Sequence, residues 1–233
     1  MWRPSDRIIL ALRVSLFGFI VNCKPSEPFL SLYLNQTKRL TEEQLATQVF
    51  PWSYVGTFAL LVPFGLAAEV IGCRPVIFAG LICREATRIL LIFGEGVGQL
   101  ALMQLAYGAG AAVDAIYFAY VYAVAPSDEF AMLTSAVLAA YHAGNVVGSL
   151  LGEMLISWMM PAWRSDTTPL FYMSWAGCTL GVLAFMALPP PRRQLQPSLA
   201  HHLLRSGFKP TARALLALWS SRESLFWLLW WLL

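Results

Sequence analysis

The sequence has 233 residues, of which 58% are hydrophobic and 12% are charged, and its mean hydropathy is +0.61. Soluble domains carry about 25% charged residues, so this composition excludes an ordinary soluble domain and indicates a membrane protein. The net charge of +3 gives no indication of nucleic-acid binding. The four cysteines contain no CxxC pair and indicate neither a disulfide framework nor a zinc site.

Several apolar segments are long enough to cross a bilayer as helices, which requires about 20 predominantly apolar residues. We predict membrane spans at residues 8–34, 49–68, 75–94, 97–124, 130–158 and 169–188. A polar loop, residues 35–47, separates the first two spans. The sequence therefore predicts an all-α membrane protein in which residues 1–188 form a six-helix bundle.

A basic stretch and a short apolar segment follow the sixth predicted span. We predict a basic cytoplasmic loop over residues 189–223. Residues 224–233 are almost entirely apolar, but a helix of that length covers about half of a hydrocarbon core of about 30 Å. We interpret them as the start of a seventh helix that is cut short.

Basic residues in short loops predict the orientation, because cytoplasmic loops are enriched in Lys and Arg. If the N-terminus is cytoplasmic, the outer loops hold only Lys38, Arg39 and Arg164. The cytoplasmic side then holds Arg3, Arg7, Arg74, Arg192, Arg193, Arg205, Lys209, Arg213 and Arg222. The sequon at Asn35 would face outward in this orientation, as N-glycosylation requires. We therefore expect a cytoplasmic N-terminus and a glycan at Asn35.

The first predicted span is interrupted by Pro25 and Pro28, with Lys24 and Glu27 beside them. Prolines disrupt a helix interior because each lacks an N–H and clashes with the preceding turn. Irregular backbone and charged groups are tolerated at membrane depth only beside a polar cavity or inside the protein. We interpret this segment as a substrate-binding break in the first helix. The alternative is a short extracellular turn between two segments.

The fourth predicted span carries a single acid, Asp114. At helical spacings of three and four residues, Tyr107, Gly110 and Tyr117 fall on the same face as this acid. A carboxylate between aromatic rings can hold an organic cation by charge and by cation–π attraction. Alternatively, Asp114 pairs with an intramembrane base, and the two interpretations are compatible. The available bases are Lys24, Arg84 and Arg88.

The third predicted span contains Arg84, Glu85 and Arg88. The two arginines are four residues apart and share a face, and Glu85 can reach Arg88 at a spacing of three. Together with Lys24, these residues indicate an internal charge network. An anion-binding site for part of a substrate is the alternative.

The fifth predicted span contains His142 and a series of glycines. His142 is a candidate proton relay because the unperturbed pKa of histidine is about 6.5, with a hydrogen-bonded packing role as the alternative. Gly144, Gly148 and Gly152 recur every four residues and predict close packing against another helix. The sequence shows no phosphate loop, metal-ligand cluster or catalytic constellation, so no cofactor, metal or enzyme activity is predicted.

Several motifs resemble one known family. Residues 17–30, FGFIVNCKPSEPFL, resemble the first-helix signature of the reduced folate carrier and thiamine transporter family, which reads close to YGFFANCRPSEPFL. Residues 69–75 resemble the loop after its second helix, and GSLLG at 148–152 is similar to its fifth-helix GSVLG. DAIYFAYVY at 114–122 is similar to its fourth-helix EIAYYSYIY. The resemblance covers about residues 8–188.

This resemblance implies the major facilitator architecture, in which two six-helix halves surround a central site and give alternating access. The chain would supply the amino-terminal half and the start of a seventh helix, and a carboxy-terminal half or a partner subunit would complete the cavity. The resemblance also implies contacts between substrate and Glu27, Asp114 and Tyr117. With the neighbouring face of the fourth helix and the matching threonine of the third, the candidate substrate-binding residues are Glu27, Asp114, Tyr117, Thr87 and Tyr107.

The residue at position 114 separates the branches of the family that this chain resembles. Thiamine carriers have an acid there and the folate carrier has an arginine, so Asp114 implies a secondary transporter of thiamine or a related organic cation in the plasma membrane. Two positions depart from the pattern: Arg88 follows Thr87 where thiamine carriers have a tryptophan, and Leu138 replaces an arginine. The alternatives are a folate carrier that binds carboxylates through its third-span arginines, and a non-transporting half-length membrane subunit.

Overall fold

The computed structural model describes residues 4–125, 127–164 and 166–191. Within these ranges the chain forms helices and connecting segments, and no strand. The main helices are α1 (Pro4–Asn22), α2 (Leu30–Gln36), α3 (Pro51–Ile71), α4 (Cys73–Phe93), α5 (Gly96–Val124), α6 (Phe130–Met154) and α7 (Thr168–Met186). The predicted basic loop beyond residue 191 and the predicted start of a seventh span lie outside the described residues.

The membrane-length helices correspond to the predicted spans. Across the described ranges, five segments are long and apolar enough to cross a membrane: Arg7–Gln36, Glu42–Ile71, Gly96–Val124, Phe130–Met159 and Thr168–Met186. The charged helix α4, which is 21 residues long, corresponds to the remaining predicted span. The prediction of an all-α membrane protein is confirmed.

The second span begins earlier than the sequence predicted. Thr41 and Gln44 form a capping box, in which the Gln44 N–H donates to the Thr41 hydroxyl at 3.2 Å and the Thr41 N–H donates to the Gln44 side chain at 3.0 Å. A π-helical segment, Leu45–Val49, then leads into α3. The predicted polar loop 35–47 is therefore helical from residue 42, because the capping box satisfies N–H groups at a helix N-terminus.

The first span is broken where its two prolines predicted. Helix α1 ends at Asn22, residues 23–26 are not helical, and a 3-10 turn at Glu27–Phe29 leads into α2. Ser26 is fully buried, and its N–H donates to the Ser174 hydroxyl of α7 at 3.0 Å. Backbone groups freed by a broken helix need such partners inside a bundle. The segment is therefore a break within the bundle rather than an extracellular turn.

The glycines of α6 hold this break in place. A Cβ added at Gly148 would lie 2.5 Å from the Lys24 nitrogen, and one at Gly152 would lie 2.1 Å from the Pro25 oxygen. Gly144 approaches the backbone of α1 in the same way. These distances are too short for any side chain, so the predicted close packing of the three glycines against another helix is confirmed.

The remaining helices surround the break. Helix α1 packs on α6 and α7, α3 and α4 pack on α5, and α4 also packs on α7. At one end of the bundle, Tyr33 of α2 stacks on Phe171 of α7 with ring centroids 4.1 Å apart. That core also contains Leu34, Leu40, Leu45, Val49, Leu91, Ile92, Leu100 and Met103. Burial of these apolar side chains positions α4 and α5 beside the break.

Candidate functional site: a charged cavity beside the helix break

The 3-10 turn after the break presents Glu27 to α4. One carboxylate oxygen of Glu27 lies 3.2 Å from Nη2 of Arg88. The other terminal nitrogen of Arg88 lies 3.4 Å from the Ser26 hydroxyl. The side chain of Arg88 is 6% exposed, whereas that of Glu27 is 35% exposed. Glu27 is therefore the accessible member of this ion pair.

Glu27 and Arg88 line a cavity of about 260 Å³ between the break, α3, α4 and α5. The other lining residues are Leu30, Phe50, Ser53, Tyr54, Thr87, Leu91, Met103, Gln104 and Tyr107. Small-molecule sites are typically apolar and aromatic with a few polar groups that fix the ligand's orientation. This cavity has that composition, with one accessible carboxylate.

A second ion pair joins α4, α5 and α6. Nη2 of Arg84 lies 2.5 Å from one oxygen of Asp114, and the Tyr141 hydroxyl donates to the other oxygen at 3.0 Å. Gly110 leaves room for Arg84, because a Cβ there would lie 3.0 Å from the arginine Cγ. The alternative in which Asp114 pairs with an intramembrane base is thus the observed arrangement, and its partner is Arg84.

A small cavity of about 20 Å³ adjoins Arg84 and Asp114. This volume holds about one water molecule. Its lining residues are Phe17, Gly18, Val21, Asn22, Ile77, Gly80, Leu81, Arg84, Val113, Asp114, Tyr117 and Tyr141. The two cavities have no lining residue in common. Glu27 lines the larger cavity, and Asp114 lines the small one.

Lys24 is the third intramembrane base of the predicted charge network. The residue is 7% exposed, and its ammonium nitrogen lies 5.6 Å from the centroid of the Tyr107 ring. Tyr107 thus contacts Lys24 and lines the larger cavity. A cation at this distance from an aromatic ring is attracted by the negative ring face.

Glu85 has a different partner from the one that its spacing allowed. Its carboxylate accepts a hydrogen bond from the Trp175 indole at 2.7 Å and one from the Thr179 hydroxyl at 3.4 Å, both on α7. Arg88 pairs with Glu27 instead. The expectation that Glu85 reaches Arg88 is wrong, because the rotation of α4 directs its acid to α7 and its arginines to the break and α5.

Tyr117 contacts α1 from within the small cavity. Its hydroxyl donates to the Val14 carbonyl at 2.7 Å, and its ring lies 5.3 Å from that of Phe17. The residue is 4% exposed. Asp114 and Tyr117 are thus brought together as predicted, whereas Tyr107 lines the larger cavity. Contact between Tyr117 and a substrate stays a prediction.

Three other predicted residues lie on three different helices. Thr87 is buried at the wall of the larger cavity, and its hydroxyl donates to the Cys83 carbonyl at 2.8 Å. His142 is exposed on α6, and its ring makes an edge contact with Tyr141. Asn35 is exposed at the end of α2. Their predicted roles in substrate contact, proton relay and glycosylation stay predictions.

Sequence reasoning assigned no role to several residues that complete these contacts. Ser26 contacts Arg88, Ser174 accepts from the break, and Trp175 holds Glu85. Gln104 is buried at the cavity wall. The spacing of Gln104 and Tyr107, three residues apart on α5, was a signal that they share a face. The residues of α7 gave no such signal, because their partners lie far away in the sequence.

Proteins of similar sequence show which family this chain belongs to. The family model described as reduced folate carrier matches residues 7–198. The chain belongs to the reduced folate carrier family. The match contains the break, both ion pairs and the glycines of α6. Membership identifies a multi-pass membrane protein of a transporter family, which agrees with the prediction that the chain is not an enzyme.

Named relatives of this family member include thiamine and folate transporters. Thiamine transporter 2 of Homo sapiens is 32% identical over 200 residues, which cover 82% of this chain and 38% of that protein. Thiamine transporter 1 of Mus musculus is 30% identical over 189 residues, covering 80% and 36%. Folate transporter 1 of Caenorhabditis elegans is 32% identical over 158 residues, covering 67% and 34%. The chain thus spans well under half the length of these relatives.

Proposed function

We propose that this chain forms the amino-terminal half of a secondary transporter that carries thiamine or a related organic cation across the plasma membrane. Glu27 and Asp114 hold cationic parts of the substrate, and aromatic rings contact its ring system. The observation that carries this proposal is the accessible carboxylate of Glu27 in an aromatic-lined cavity. Charge and cation–π attraction together suit an organic cation.

The burial of the site's charges supports a cation over an anion. The side chains of Arg84 and Arg88 are 11% and 6% exposed, and each is paired with a carboxylate. The carboxylates of Asp114 and Glu27 are 26% and 35% exposed. The groups that a solute meets first are therefore negatively charged.

The proposal also includes a second half of the transporter, the orientation of the N-terminus and a glycan. A second six-helix half or a partner subunit completes the cavity, and rocking of the two halves exposes it to each side in turn. The N-terminus is cytoplasmic, supported by the distribution of basic residues. Asn35 carries a glycan on the outer side, supported by its exposure at the end of α2.

Uptake of radiolabelled thiamine by cells expressing the protein tests the proposal. Saturable uptake is expected for the wild type, and Glu27→Gln and Asp114→Asn should each abolish it when uptake is divided by the amount of protein at the cell surface. Glu153→Gln is the matched control, because Glu153 is exposed on α6 and bonds Ser157. Unchanged uptake in both site variants would refute the assigned roles.

A folate carrier is the second candidate. Three bases, Lys24, Arg84 and Arg88, lie near the break and α5. Their three positive charges outnumber the two negative charges of Glu27 and Asp114. Competition between labelled thiamine and folate separates the two substrates. Loss of folate uptake in Arg88→Gln, together with no thiamine uptake by the wild type, would establish this candidate.

A half-length subunit that does not transport is the remaining alternative. Expression of the 233-residue chain alone decides it. Saturable uptake that persists when the chain is shown to be a monomer would exclude a purely regulatory role. Uptake that requires co-expression with a second membrane protein would support a partner that completes the cavity.

A further inference from the structure

Arg84 already occupies the place at Asp114 where the proposed function puts a substrate cation. Its guanidinium lies 2.5 Å from one carboxylate oxygen of Asp114, and the Tyr141 hydroxyl lies 3.0 Å from the other. Both oxygens are thus engaged, and the negative charge of Asp114 is neutralised by a neighbour on α4. A second cation gains little from a carboxylate that has a partner at this distance.

The two ion pairs adjoin different cavities. The cavity beside Asp114 has a volume of about 20 Å³, enough for about one water molecule. The cavity of about 260 Å³ is lined by Glu27 and Arg88, but not by Asp114 or Arg84. Asp114 is 26% exposed, but Arg84 holds its carboxylate, so a cation can pair fully with Asp114 only by displacing Arg84.

We propose that Arg84 is an affinity-determining residue: it acts as an internal cation at Asp114 that an organic cation must displace. This inference rests on the proposed function. The exchange replaces one cation with another, so Asp114 keeps a counter-charge throughout. An anion would make the opposite exchange: it would pair with Arg84 and leave the Asp114 carboxylate without a counter-charge.

The exchange lowers the apparent affinity for the substrate. A site that is competent for only a fraction of the time binds with a dissociation constant raised by the inverse of that fraction. If the Arg84–Asp114 pair is closed about nine-tenths of the time, binding is about tenfold weaker than at an open Asp114. The factor is the same for every cation, so the pair sets how tightly a cation must bind and does not rank one cation over another.

The closing experiment compares thiamine uptake by the wild type, Arg84→Gln and Arg84→Lys, with the surface amount measured for each. Glutamine keeps a hydrogen-bond donor without the charge, so the KM of Arg84→Gln should fall about tenfold. Arg84→Lys keeps the charge, so its KM should lie above that of Arg84→Gln. Adding Asp114→Asn to Arg84→Gln should erase the gain in affinity.

Each outcome has a defined meaning. A KM for Arg84→Gln that is unchanged or raised, at normal surface amount, would overturn the inference while leaving the proposed function intact. If Arg84→Gln fails to reach the surface, Arg84→Ala decides by the same criterion. A lowered KM supports the inference, whereas an unchanged or raised KM, or loss of this variant from the surface as well, overturns it. Absence of saturable thiamine uptake by the wild type would overturn the proposed function and this inference together.

Discussion

Gly148 of α6 lies so close to the backbone of Lys24 that a Cβ on the glycine would come within 2.5 Å of the lysine nitrogen. This contact joins the middle of one membrane helix to the broken part of another. The break carries Glu27 three residues later, so the position of the carboxylate depends on a residue that has no side chain.

Gly148→Ala should destabilise the protein, because the new methyl group meets backbone that cannot rotate away. Overpacking of this kind costs about 1–3 kcal/mol. The matched control is Gly65→Ala on α3, where an added Cβ meets nothing within 4 Å. Thermal unfolding in detergent should show a lower Tm for Gly148→Ala only. Equal Tm values for the two variants would contradict the close contact.

Glu27→Gln should destabilise the protein as well as reduce uptake, because it leaves the buried guanidinium of Arg88 without its counter-charge. Removing one partner of a fully buried pair costs about 3–5 kcal/mol. The cost here should be about 2 kcal/mol, since Glu27 is 35% exposed. The Glu27→Gln/Arg88→Met double variant should recover part of the Tm without recovering uptake. A Tm loss in the double variant equal to the sum of the single losses would show that the residues are not coupled.

Trp175→Phe should lower the Tm because it removes the indole N–H that donates to Glu85 at 2.7 Å. A hydrogen bond to a charged group is worth about 1.5–3 kcal/mol. Trp158→Phe is the control, since Trp158 is 83% exposed. If both substitutions change the Tm by the same amount, the Glu85–Trp175 bond makes no specific contribution.

Tyr117→Phe separates the structural role of the tyrosine hydroxyl from contact of its ring with substrate. The hydroxyl donates to the Val14 carbonyl, so its loss should cost about 1 kcal/mol of stability. The KM for thiamine should stay the same because the ring is retained. A KM that rises severalfold with an unchanged Tm would assign the hydroxyl to the substrate instead.

Asn35→Gln should remove a glycan and a glycosidase-sensitive shift in gel mobility. Asn35 is exposed, and its side chain donates to the Leu40 carbonyl at 3.0 Å. Glycosylation leaves one hydrogen on that nitrogen, so the bond is compatible with the modification. Gln36→Asn, which leaves the sequon at Asn35 intact, is the control. Identical mobility of Asn35→Gln and the wild type would contradict glycosylation at Asn35.

The membrane spans and the break could be predicted because they depend on local sequence. Hydropathy located the helices, and Pro25 and Pro28 located the interruption. The early start of the second span was missed, although Thr41 and Gln44 have the spacing of a capping box. The close packing of the α6 glycines was also predictable, since small residues every four positions mark one helix face.

The charge pairing could not be predicted, because it depends on how α4 is rotated against its neighbours. Spacing alone predicted that Glu85 reaches Arg88, and it left Asp114 with several possible bases. Packing of α4 on both α5 and α7 decides between them. The donors Trp175 and Tyr141 come from helices distant in the sequence, so no local pattern indicates them.

The break also divides the first span into two parts with different sets of neighbours. Helix α1 follows α6 and α7, whereas Tyr33 and Leu34 of α2 belong to the apolar core that includes Leu91 and Phe171. Glu27 lies at the joint between these parts. Because Glu27 lies between α1 and α2, a shift of one helix against the other would change the distance between Glu27 and Arg88.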